Sequence, residues 1–95
     1  MDVAEAEGIL EQQIAELRKL TYSDLKRFAD GHIIQTPEAQ GASGIRYYLE
    51  IQTVWDGKVG PNIRVIAAID DGGIRALRPV TRNFIKAPDG SFVGE

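Results

Sequence analysis

Residues 45–53 read IRYYLEIQT, and their alternation decides the fold. Ile45, Tyr47, Leu49, Ile51 and Thr53 fall on one side of an extended chain; Arg46, Tyr48, Glu50 and Gln52 fall on the other. Successive side chains of a strand point to opposite faces, so this pattern predicts a strand with one buried face. Downstream, a turn over Asp56-Gly57 and Gly60-Pro61-Asn62 leads into a second strand from Ile63 to Ile69. There Ile63, Val65, Ala67 and Ile69 face one way and Arg64, Ile66 and Ala68 the other. Asp71-Gly72 then suits a two-residue type I′ turn, whose positive φ values both residue types tolerate. A turn centred there pairs Ile69 with Ile74, Ala67 with Ala76 and Ile66 with Leu77, so that the apolar sides match. Pro79 ends that strand or places it at an edge. Phe84 to Ala87 reads as a last short strand, followed by a Pro88-Asp89-Gly90 turn and the tail from Ser91 to Glu95.

Upstream of the deciding stretch, His32 to Thr36 reads as a short strand stopped by Pro37, and Glu38 to Gly44 as a flexible loop. Before it the period is helical. Ile9, Leu10, Ile14, Leu17 and Leu20 recur at spacings of three and four with polar residues between them. Gly8 weakens the first turns, so residues 1–7 are expected to fray. Thr21 and Asp24 have the spacing of a capping box, with Leu20 and Leu25 placed for a hydrophobic staple. They open a second helix from Tyr22 to Ala29, which Gly31 closes as a left-handed cap. The apolar spacing also permits a single helix running through Thr21.

Helices followed by hairpin-linked strands indicate an α+β fold. The expectation is one or two N-terminal helices packed on a curved antiparallel sheet of three to five strands, in a single domain spanning residues 1–95. One sheet face packs on Ile14, Leu17, Leu25 and Phe28, and the other stays partly open to water. In outline this resembles the helix-on-curved-sheet arrangement of cystatin-like domains, a fold that carries no single function.

The 95 residues carry a net charge of −3, and a sequence pI near 5.1 makes duplex nucleic acid an unfavourable partner, since such affinity comes largely from neutralising phosphates. The acidic excess lies in the helices, where Arg18, Lys19, Lys26 and Arg27 face seven carboxylates within residues 1–30. Between Gly72 and Pro88, Arg75, Arg78, Arg82 and Lys86 occur with no acid, a local patch suited to an acidic partner. There is no cysteine, which removes disulfides, thiolate metal sites and a cysteine nucleophile. No apolar run is long enough for a membrane span and no leader is apparent, so a cytoplasmic location is expected.

The run from Ile69 to Leu77 (IDDGGIRAL), with Trp55-Asp56, Pro79, Phe84-Ile85 and the ending APDGSFVGE at residues 87–95, resembles a family of small uncharacterised bacterial proteins. Members often carry an aromatic residue after the DGG turn, where Ile74 stands here. The resemblance covers residues 45–95 and implies no established activity. It implies that the chain ends naturally at Glu95, with its last residues built into the domain.

Chemistry-bearing residues are sparse. His32 is the only histidine and follows a predicted helix end, where an imidazolium is electrostatically favoured without any catalytic role. Asp70, Asp71, Asp89 and Glu95 are hard oxygen ligands, but their spacing is not that of a calcium loop and Asp-Gly pairs are common turn residues. No metal and no cofactor is expected. The outer sheet face is more informative: Arg46, Tyr48, Arg64, Ile66, Arg75 and Leu77 gather arginine, tyrosine and apolar side chains where polar ones are the rule. The sequence therefore points to a noncatalytic module that contacts a protein partner, or a second copy through an exposed edge strand. Apolar burial holds the contact and the arginines orient it, so charge reversal at Arg64 and Arg75 should abolish the contact while leaving stability nearly unchanged. The competing expectation is a small-ligand domain or enzyme with a pocket between helix and sheet lined by Trp55, Tyr47 and His32.

Overall fold

The computed structural model describes residues 2–57, 61–73 and 79–95. Two helices, α1 (Val3–Arg18) and α2 (Tyr22–Asp30), precede strands β1 (Ile34–Gln35), β2 (Glu38–Gln40), β3 (Arg46–Trp55), β4 (Ile63–Asp70) and β5 (Val80–Lys86). The fold is α+β, with both helices packed on a curved, open, five-stranded antiparallel sheet. None of the described helices is long and apolar enough to cross a membrane.

Two separate helices form because Thr21 stops the first and starts the second. Its hydroxyl accepts the Asp24 N–H at 3.1 Å, and the Asp24 carboxylate accepts the Thr21 N–H at 3.2 Å. That reciprocal cap satisfies two N–H groups that a helix start leaves without partners. The first helix begins at Val3, inside the stretch where Gly8 predicts fraying, because Asp2 caps the Glu5 N–H at 3.0 Å. At the end of α2 the left-handed residue is His32, with φ 51°, and not Gly31, which has φ −82°. His32 N–H reaches the Ala29 carbonyl at 3.2 Å and Ile33 N–H reaches Phe28 at 3.1 Å, the two bonds of a Schellman end with His32 in the position glycine usually takes.

The core forms between helices and sheet. Leu10, Leu25, Tyr47, Ile63, Val65, Ala67 and Ile69 have no exposed surface, and Ala6, Ile14, Leu17, Leu49, Ile51 and Phe84 join them. Ala29 takes the core position expected of Phe28, since Leu25 and Ala29, one turn apart, are the α2 residues that face the sheet.

Strand pairing differs from the expected hairpin. Ile69 pairs with Val80, Ala67 with Arg82 and Ile66 with Asn83, so β4 runs beside β5. Ile74, Arg75, Ala76, Leu77 and Arg78 lie outside the described residues. Gly72 has the positive φ expected of the turn, but Asp71 does not, so no type I′ turn forms. The observed register places Phe84 in the core and turns Arg82 and Lys86 toward α1. Arg82 meets Glu11 at 2.8 Å, and the Lys86 ammonium caps the carbonyls of Arg18 and Leu20 at 3.2 and 2.6 Å. These contacts also dissolve the expected cationic patch at its two described members.

Glu38 to Gln40, expected as loop, is strand. Ile34–Gln35 pairs with Ile51–Gln52 and Glu38–Gln40 with Arg46–Tyr48 in one unbroken register. Between them the Leu49 N–H reaches the Pro37 carbonyl at 2.9 Å. Thus β1 and β2 are a single edge from Ile34 to Gln40, interrupted only because Pro37 has no N–H to return.

Candidate functional site

The two faces of β3 separate cleanly. Tyr47, Leu49, Ile51 and Thr53 are buried against the helices, whereas Arg46, Tyr48, Glu50 and Val54 are exposed. Registers carry this division across the sheet, so Ile34, Gln52, Ile66 and Asn83 form one row of the outer face and Val54, Arg64 and Ile85 the next. Tyr48 lies between Glu38 and Asp70, with its ring against the Gly72 turn, where an added Cβ would come within 3.2 Å. Of the sequence-predicted interaction residues, Arg46, Tyr48, Arg64 and Ile66 therefore share one face. Arg75 and Leu77 lie outside the described residues.

No described element covers that face. Both helices pack on its reverse, and so does the tail. Phe92 meets Phe84 edge to face with ring centroids 5.8 Å apart, and the Arg18 guanidinium sits 3.8 Å from the Phe92 ring centre. Glu95 closes the arrangement through two hydrogen bonds from Arg18, at 2.8 and 2.6 Å. This bond to Arg18 holds the Glu95 carboxyl below its ordinary value. The last residues are built into the domain, on the helix side of β5.

The arginines of the outer face are held within the chain. Arg64 donates to Asp56 Oδ1 from Nε and from one terminal nitrogen, at 3.2 and 3.1 Å, and to Asn83 Oδ1 at 2.7 Å. Arg46 lies 3.6 Å from Glu38. Arg64 thus clamps the turn after β3 to β5. Reversing its charge would set two carboxylates side by side at this clamp, so the expectation of nearly unchanged stability gives way at Arg64. The face offers a mixed surface: Tyr48 and Val54 are 42% and 40% exposed and Ile66, Ala68 and Ile85 half-buried, beside the exposed polar side chains of Arg46, Glu50 and Asn83.

Tyr47, Trp55 and His32 do not assemble into a pocket. Tyr47 and Trp55 stand at opposite ends of the ten-residue β3, roughly 27 Å apart at strand rise. Tyr47 is completely buried and donates its hydroxyl to Glu5 Oε1 at 2.9 Å. Burial, reinforced by that carboxylate, pushes its pKa up to about 12. Glu5 also accepts the Ser43 hydroxyl at 2.6 Å and the Ser43 N–H at 3.0 Å. These bonds, the Ser43 hydroxyl first, hold its carboxyl below the ordinary value. At the other end Trp55 packs on the rim of the core, and Asp30 is held below its ordinary value first by the Lys26 hydrogen bond, with the Trp55 indole a lesser contributor. His32 is exposed and borders a small cavity of about 190 Å³ with Ile33, Ile34 and Val54.

Two larger hollows lie elsewhere. A groove of about 430 Å³ runs between α1 and the edge strand, bordered by Gln13, Glu16, Leu17, Gln35 and Pro37, and one of about 450 Å³ is bordered by Leu20, Tyr22, Lys86 and Pro88. Asp70, Asp71 and Asp89 each accept a backbone N–H two residues ahead, as turn carboxylates do. Among the described residues no group of three metal-ligating side chains is placed to hold an ion. The Glu5–Ser43–Tyr47 knot and the Arg64 clamp escape sequence reading, because neither has a local signature: Glu5 and Ser43 are 38 positions apart. No family model, curated protein or solved structure matches this chain.

Proposed function

We propose that this protein is a noncatalytic interaction module whose contact surface is the outer face of the sheet. One observation carries the reading: helices and tail all pack on the same side, leaving Tyr48, Val54, Ile66 and Ile85 on a face with no described element over it. Apolar surface of this kind gains most when a partner removes it from water. Tyr48 and Val54 supply the protruding area and Ile66 the centre. Arg64, fixed by Asp56 and Asn83, presents a preorganised polar rim and does not depend on an acidic partner for its hydrogen bonds.

The test is site-specific photo-crosslinking in cells that make the protein. A photoreactive side chain is placed at Tyr48 or Val54, and for comparison at Gln12 or Ala15 on the exposed side of α1. Discrete adducts from the sheet positions, absent from the helix positions and lost on Ile66→Glu in a chain that still folds, are expected. Equal adducts from both surfaces, or none from the sheet, would overturn the reading.

A further inference from the structure

We infer that the edge from Ile34 to Gln40 is a homodimer interface, at which a second copy adds antiparallel about a two-fold axis through Pro37. The ladder with β3 fixes which way each backbone group points. Gln35, Pro37 and Ala39 pair inward with Ile51, Leu49 and Tyr47, as the Leu49-to-Pro37 bond and the Gly41-to-Ile45 bond on either side of β2 show. Ile34, Thr36, Glu38 and Gln40 therefore turn N–H and C=O outward. None of these outward groups takes part in a hydrogen bond among the described residues. Proline commonly protects an edge by withholding a donor from incoming strands. Here the donor it lacks is an inward one, so the outward row is intact.

The opposite edge is partly occupied. On β5 the Ile85 carbonyl accepts the Val93 N–H at 2.9 Å, and the Thr81 carbonyl accepts Arg82 at 2.8 Å. With two of its acceptors taken, β5 offers an added strand fewer backbone partners than the β1–β2 edge does.

The edge is compatible with itself in one register above others. With the axis at Pro37, Ile34 stands opposite Gln40 and Thr36 opposite Glu38, so all four outward residues enter hydrogen-bonded pairs. The two Pro37 residues meet in a non-hydrogen-bonded pair, where a missing N–H costs nothing. The one acid of the edge, Glu38, then faces a hydroxyl donor. Shifting the axis to Glu38 would set it against its own copy, and shifting it to Thr36 would set Ile34 against a carboxylate; like charges directly opposite destabilise a ladder. Hollows border this edge at Ile34, at Gln35–Pro37 and at Glu38–Gln40, which leaves room for the side chains of the added strand. A symmetric pair built this way is isologous, the commonest oligomer geometry.

The experiment combines sedimentation equilibrium with amide hydrogen exchange on the full chain. The expected result is a concentration-dependent dimer in which the amides of Ile34, Thr36, Glu38 and Gln40 become protected as concentration rises. Thr36→Pro removes an outward donor twice by symmetry, and should raise the dimer dissociation constant about tenfold or more. Thr36→Val keeps the donor and should dimerise. A chain that stays monomeric at millimolar concentration, or a dimer whose four outward amides exchange at the monomer rate, would overturn the inference. So would a Thr36→Pro dimer as tight as wild type. The exchange arm needs no variant and stands even where Thr36→Pro fails to fold. Crosslinks from Tyr48 and Val54 to another protein should survive Thr36→Pro, which separates this interface from the contact on the outer face.

Discussion

Single residues carry much of the specificity of this small fold. His32 holds a left-handed conformation with an exposed side chain, a backbone state that costs a non-glycine residue roughly 1–2 kcal/mol. Glycine there would relieve the strain while adding some unfolded-state entropy. His32→Gly should therefore raise stability by about 0.5–1 kcal/mol, read as a higher denaturation midpoint at unchanged slope. A lower midpoint would mean that the imidazole makes a stabilising contact. Glu5 and Tyr47 give the residue scale a pH signature. The Glu5 carboxyl is depressed from 4.5, so its contribution is complete above that value and is lost as pH falls through the lower folded value. The Tyr47 hydroxyl is raised from 10.0 to about 12, so its contribution is complete below pH 10 and is lost as pH rises through 12. Tyr47→Phe should flatten the alkaline limb of a stability–pH profile and leave an acid limb supported by Ser43. An alkaline limb unchanged in that variant would assign the loss to other groups.

At the scale of elements, the parts most legible in the sequence were those with a local cause. The break at Thr21, the helical stripe of α1 and the alternation of β3 all follow from residues within one turn or one strand. The end of β5 was read as a strand from Phe84, but its start at Val80 was hidden because Arg82 occupies a helix-facing position, so no apolar alternation marks that half. The Asp71-Gly72 signal misled for a related reason: turn chemistry is local, whereas the register of β4 is set by Phe84 entering a core built largely from distant residues. The edge strand was misread at Pro37, which interrupts hydrogen bonding without ending the strand. Pro37→Val should supply the missing donor toward the Leu49 carbonyl. A ladder bond of about 0.5–1.5 kcal/mol is offset by greater unfolded-state freedom of about 0.4–1 kcal/mol. Stability should thus change by less than about 1 kcal/mol, while the new amide at position 37 joins the slowly exchanging set. Rapid exchange there would show that the edge strand does not run in register past this point.

For the whole molecule, the governing feature is one-sidedness. Two helices, the Phe92 anchor and the Arg18–Glu95 bonds gather on one face of the sheet, while the outer face and the β1–β2 edge have no described cover. The alternation of β3 already implied an outer face, and it placed Arg46, Tyr48, Arg64 and Ile66 there together. That the arginines are held by Glu38, Asp56 and Asn83 was not legible, since those partners come together only through turns and neighbouring strands. The claim that this face is open is tested most directly by side-chain NMR of the dilute protein with a soluble paramagnetic agent. Methyl groups of Val54, Ile66 and Ile85 should relax strongly, and those of Ile51, Val65 and Ile69 weakly. Equal protection of the two sets would contradict the account, because the outer face would then be covered and could not serve as the contact surface.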